Sequence, residues 1–196
     1  MPERVLVTGF GAFLDVQDNP SGQLARAVNG RILAGGLEIT GLELPVSYAR
    51  APELTLEAVS ALRPWLVVGL GVAVGRSRVC VEALGRRRPL TAAEDVDGVE
   101  LDDLDPDGPE QVGSTADVSR LAEVLSALVS EDAGGYVCNA WLYRVARGLD
   151  TLGPRRPEVV FVHIPASGLS PELLCQGIST LWSERSSGGS QTPTPC

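Results

Sequence analysis

Three nearly unbroken apolar runs, set between segments of helical periodicity, constrain this chain's fold more than any other feature. RVLVTGF (4–10), WLVVGLG (65–71) and EVVFVHIP (158–165) are short and rich in β-branched residues. Strands with so little polar alternation are covered on both faces. LEITGLELPV (37–46) and SRVCVEALG (77–85) alternate instead, as half-buried strands do. Between them, NPSGQLARAVNGRIL (19–33) opens with a capping Asn19 and a proline at the first helical position. RAPELTLEAVSALR (50–63) is amphipathic, and further helices are predicted over about 115–128, 138–148 and 170–184, with a short extended piece near VSEDAGG. Strands alternating with helices place the chain in the α/β class. The expectation is one three-layer α/β/α domain over residues 1–185, built on a central, largely parallel (mixed) twisted sheet. SSGGSQTPTPC (186–196) has the composition of a flexible tail.

A net charge of −9 argues against nucleic acid or an anionic membrane as the main partner, since both require basic patches. Much of that charge lies in AEDVDGVELDDLDPDGPE (93–110), which reads as a solvated loop. No segment has the length of apolar sequence a membrane span needs. The start MPERVLVTGF lacks a basic region leading into an apolar one, so no secretory signal is expected. The four cysteines, at 80, 138, 175 and 196, have neither metal-ligand spacing nor the density of a disulfide scaffold. A reducing, cytoplasmic setting is expected, where a free thiol persists.

Those thiols are not equivalent by position. Cys196 lies in the tail, Cys175 in the apolar pattern of the last helix, and Cys80 in an alternating strand. Cys138 follows a Gly-Gly turn and opens a helix, where unpaired N–H groups and the helix dipole favour a thiolate. A small buried cysteine is the competing assignment. The chain has a single histidine, His163, at the carboxyl end of VVFVHIP. Ligands of open α/β sheets bind beyond such strand ends. Any Cys–His chemistry must use this imidazole, although a hydrogen-bonded structural histidine is the competing assignment for the position. Glu82 interrupts the apolar stretch RVCVEALG. It is either the acid that orients the imidazole or an exposed residue of an edge strand. Spacing alone does not show that the three residues meet.

GLGVAVG (69–75) competes as a glycine-rich dinucleotide loop and would make the chain a nucleotide-dependent oxidoreductase. The residues after it, RSRVCVEAL, alternate like a strand where a dinucleotide site needs a helix. A close-packed loop after a central strand is the better assignment.

Taken in order, the motifs resemble pyroglutamyl peptidase I, a family of cysteine peptidases that remove N-terminal pyroglutamate. The resemblance spans about residues 4–184. It rests on VLVTGFGAF at the start, NPSG at the first helix, LPV (44–46), GVAVGRSRVCVE, DGPEQVGST (107–115), DAGGYVCN (132–139) and FVHIP (161–165). It implies Cys138 as nucleophile, His163 as base and Glu82 as orienting acid, with no metal or cofactor. It implies a ring pocket walled by Phe10 and Phe13, with Tyr136 and Val137 beside the nucleophile, and N-terminally pyroglutamylated peptides as substrates. A homo-oligomer is compatible with the family. Val72 stands where the common bacterial form has a glutamine, and Tyr136 where a phenylalanine is usual. The rival of a different class is a non-catalytic homologue that binds a small ligand or a peptide on the same scaffold.

Overall fold

The computed structural model describes residues 3–12, 18–88 and 93–188. In chain order its elements are β1 (Arg4–Phe10), α1 (Pro20–Val28), β2 (Ile32–Leu33), β3 (Leu37–Leu44), α2 (Arg50–Leu62), β4 (Leu66–Val72), β5 (Cys80–Glu82), β6 (Leu84–Arg86) and β7 (Gln111–Gly113). They continue with α3 (Val118–Leu125), β8 (Leu128–Ser130), α4 (Val137–Asp150), β9 (Glu158–Ile164) and α5 (Pro171–Gly188). The seven-stranded sheet runs β2-β3-β1-β4-β9-β5-β8. Pairing is parallel from β3 through β1 and β4 to β9 and between β5 and β8, and antiparallel at β2–β3 and β5–β9. This is the mixed, mostly parallel α/β architecture expected from the pattern. None of the helices among the described residues is long and apolar enough to cross a membrane.

The three apolar runs form the centre of the sheet, and their alternate residues feed two cores. Val5, Val7, Val68, Leu70, Val160, Val162 and Ile164 pack with α1, α3 and α5. Leu6, Val67, Val159 and Phe161 face the other way, toward α2 and α4. The start of α1 follows its sequence signal: the Asn19 side chain accepts the Ser21 N–H at 3.1 Å, with Pro20 next.

The glycines of GLGVAVG serve this packing. A Cβ on Gly69 would stand 2.5 Å from both the Phe161 and Trp141 rings, and one on Gly71 2.6 Å from Cys138 Sγ. Either is closer than non-bonded heavy atoms tolerate, so the bare backbone of β4 is what lets α4 approach the sheet. After β4 the chain turns and enters β5, with no helix after the loop. The strand–turn–helix order of a dinucleotide site is therefore absent at this position.

Three details depart from the sequence reading. The stretch 77–85 is two strands: β5 lies inside the large sheet between β9 and β8, while β6 pairs with β7 in a separate two-stranded sheet. The chain crosses over at Ala83, whose N–H donates to Ser130 O and whose carbonyl accepts from Ser114 N–H. The acidic segment 93–110 is not simply a solvated loop. Asp95 and Leu104 are buried, and Asp95 accepts backbone N–H bonds from Tyr48, Asp97 and Val99 at 2.7–3.1 Å. A carboxylate so supplied can fold a polar loop against the body. Finally, α5 continues past residue 184 to Gly188, so helix extends into the segment expected to be tail; residues 189–196 lie outside the described residues.

Candidate active site

The catalytic candidates gather on the α4 face of the sheet at its strand ends, and register explains how. β5 runs antiparallel to β9 with Cys80 opposite His163 and Glu82 opposite Phe161. Side chains two apart share a face, so Glu82 and His163 are diagonal neighbours on one surface. On the other side of β9, Gly71 of β4 stands opposite His163. Above that glycine, the second residue of α4 delivers the Cys138 sulfur.

Glu82 is fully buried, not an exposed edge residue. Its Oε1 lies 2.7 Å from His163 Nδ1. An ionised carboxylate only accepts, so the Nδ1 proton points at Glu82 and Nε2 is left free to face other chemistry. Oε1 also accepts from Arg76 Nη1 at 2.6 Å, while Oε2 has no partner among the described residues. Burying a carboxylate costs several kcal/mol, which two charge-assisted bonds of about 1.5–3 kcal/mol each are on the scale to offset.

His163 is 5% exposed and meets the Phe161 ring edge-on at 5.0 Å. Burial alone would push its pKa down. The charge of Cys138 and a hydrogen bond to it, followed by the hydrogen bond and charge of Glu82, outweigh burial and raise it from 6.5 to about 9. Cys138 is half-buried and free, as are the buried Cys80 and Cys175. Burial raises the Cys175 thiol pKa, against the lowering effect of Arg31. Cys138 and Glu82 thus both act on the one imidazole, and each favours its protonated form.

The expected pocket residues fall in different environments. Phe10 is 4% exposed at the end of β1, within the core that includes Leu44, Val46, Tyr48 and Val137. Val137 is buried as the first residue of α4, and Tyr136, half-buried, caps that helix. The Tyr136 hydroxyl donates to Glu94 O at 2.8 Å and its ring meets Tyr48 edge-on at 5.5 Å. Burial raises the phenol pKa, so it stays a donor. Phe13 lies outside the described residues. Val72 is half-buried and packs toward the α1, α3 and α5 core, on the face opposite the sulfur.

Sequence reasoning did not single out three of the residues found here. Arg76 binds the acid; it is one of two arginines, with Arg78, in the loop entering the Glu82 strand, and nothing in the sequence separates them. Asn139 clasps the Arg86 backbone, accepting its N–H at 2.7 Å and donating to its carbonyl at 2.8 Å, which fixes β6 against the start of α4. Asp95 anchors the 93–99 segment beside Tyr48. Among the described residues no cluster of three or more His, Cys, Asp or Glu is arranged to hold a metal ion.

Comparison with known proteins gives a consistent result. The family model for pyroglutamyl peptidase (peptidase C15) matches residues 3–176. A pyrrolidone-carboxylate peptidase of Halalkalibacterium halodurans is 35% identical over 85% of this chain and 86% of its own length. One from Saccharolobus islandicus is 31% identical over 82% and 78%. Among solved structures, the pyroglutamyl peptidase I of Bacillus amyloliquefaciens superposes with a TM-score of 0.81 at 23% identity, covering 91% of this chain and 92% of that one. A mutant pyrrolidone carboxyl peptidase of Pyrococcus furiosus gives 0.79 at 24% identity, covering 92% and 96%. These structural likenesses speak to the fold.

Proposed function

Because the chain belongs to the pyroglutamyl peptidase family, we propose that this peptidase hydrolyses the amide bond after an N-terminal pyroglutamyl residue, with Cys138, His163 and Glu82 as a catalytic triad. The observation that carries the proposal is the 2.7 Å contact of Glu82 with an imidazole whose pKa the Cys138 sulfur raises. An imidazolium at neutral pH is the partner a thiolate needs. Cys138 Sγ attacks the pyroglutamyl carbonyl carbon, and the carbonyl π pair moves to oxygen. The orphan N–H groups of the first turn of α4, that of Cys138 included, face the developing oxyanion. His163 Nε2–H protonates the leaving amine as the C–N bond breaks, leaving a thioester. The now neutral imidazole takes a proton from water, which attacks the thioester and frees pyroglutamate and the thiolate. Glu82 holds the ring through both steps.

The lactam ring is compact, flat and uncharged, which suits an apolar slot with few polar groups. Phe10, Phe13, Tyr136 and Val137 are proposed as its walls. No step of this mechanism calls for a metal or cofactor. A reducing cytoplasm would suit the free thiols. The test is release of a fluorophore from pyroglutamyl-aminomethylcoumarin by wild type and by Cys138→Ala. Turnover by wild type and none by the variant is expected. A folded wild type without turnover would favour a non-catalytic homologue, and full turnover by the variant would remove the triad.

A further inference from the structure

The acid of the triad has a second partner that the mechanism above does not use. Arg76 sits in the turn between β4 and β5, held by its N–H to Ala73 O at 2.9 Å. Its guanidinium divides between two directions. Nη1 donates to Glu82 Oε1 at 2.6 Å, and Nη2 to the Asp132 carbonyl at 2.6 Å, with Ser130 Oγ at 3.5 Å from Nη1. Asp132 belongs to the segment that leads into α4. That segment is internally tied by Asp132 N–H to Ser130 Oγ at 3.2 Å and by Gly134 N–H to Asp132 Oδ1 at 3.0 Å. One side chain therefore grips both the carboxylate behind His163 and the lead into the helix that carries Cys138.

This is not an ordinary surface ion pair. The Arg76 side chain is 29% exposed but Glu82 is 0% exposed. Water cannot replace the guanidinium at a buried oxygen as it does for exposed pairs. The oxygen concerned is the same one that accepts from His163, so the guanidinium sets the rotation of the carboxylate that the imidazole meets. A planar fork with two well-placed donors does this as a single flexible ammonium does not.

Building on the proposed triad, we propose that Arg76 is a positioning residue, which locks Glu82 Oε1 onto His163 and holds the 130–134 segment in register with it. It touches no reacting atom, so its effect falls on the chemical step and not on ring binding. In Arg76→Met, kcat falls by about tenfold to a hundredfold, the scale of one charge-assisted hydrogen bond, while KM stays within about twofold. Arg76→Lys restores part of the loss and Arg76→Gln, similar in reach but neutral, restores less. A second readout needs no substrate: the rate of Cys138 alkylation by neutral iodoacetamide, tracked at that site by peptide mass spectrometry, falls in the same order. Thermal melts of all variants accompany both measurements, and Arg76→Lys against Arg76→Gln decides the matter if Arg76→Met does not fold.

Wild-type kcat and alkylation in the neutral variants, equal values for the lysine and glutamine variants, or a loss confined to KM would each overturn the inference. A wild type that does not turn over pyroglutamyl substrate would instead count against the proposed function. The alkylation series would then still decide the role of Arg76.

Discussion

Removing the Cys138 sulfur should change the titration of His163, and the chain is well suited to the measurement because it has one histidine. An ordinary imidazole titrates near 6.5, and here the value is raised to about 9 despite burial at 5% exposure. That difference corresponds to roughly 3 kcal/mol of preference for the imidazolium. Burial is the largest single influence and acts downward; Cys138 is the larger of the two upward ones, ahead of Glu82. In Cys138→Ala only Glu82 opposes burial. The midpoint should fall by about 1–3 units, the effect of losing an opposite charge in contact. The assay is the pH dependence of the imidazole Cε1–H resonance, which needs no assignment beyond finding the lone histidine signal. The same sign governs the rate. The imidazolium is present below about pH 9 and lost above it, so kcat/KM should have a basic limb near that pH. A wild-type midpoint near 6.5, or one that does not move in Cys138→Ala, would refute the ion-pair argument.

Two other perturbations probe the frame around the site. Gly71→Ala places a methyl 2.6 Å from Cys138 Sγ and 2.8 Å from the Phe161 ring; it should destabilise by about 1–3 kcal/mol in urea denaturation and lower kcat. Asp95→Ala removes a buried acceptor of three backbone N–H groups. It should raise KM for the ring substrate more than it lowers kcat, with faster amide exchange over residues 95–99 than in wild type.

The parts of the fold that rest on local pattern were legible in the sequence. The central strands announce themselves because both faces are buried, and α1 because Asn19 and Pro20 satisfy its first turn. Cys138, His163 and Glu82 could each be proposed, since residue type and position at an element end restrict what each can do. Their meeting could not, because it depends on the antiparallel register of β5 against β9, in which Glu82 lies diagonal to His163. The break at Ala83 was hidden for a related reason. SRVCVEALG alternates throughout, and alternation does not tell which of two sheets a residue joins. Asp95 was hidden by its neighbours, because a buried carboxylate in an acidic run looks like the exposed ones around it. Arg76 was hidden by chemistry: its meaning lies in a partner on the next strand and in a backbone carbonyl far along the chain.

The claim most exposed to test is that Cys138 is the nucleophile of a site built to hold a pyroglutamyl ring. A pyroglutamyl chloromethyl ketone carries that ring, a ketone where the scissile carbonyl would lie, and an alkylating carbon in place of the leaving nitrogen. After stoichiometric labelling, peptide mass spectrometry should find the adduct on Cys138, with turnover lost in proportion and labelling slowed by excess pyroglutamyl substrate. An adduct on Cys80, Cys175 or Cys196, or a protein fully labelled at Cys138 that still turns over substrate, would contradict the account.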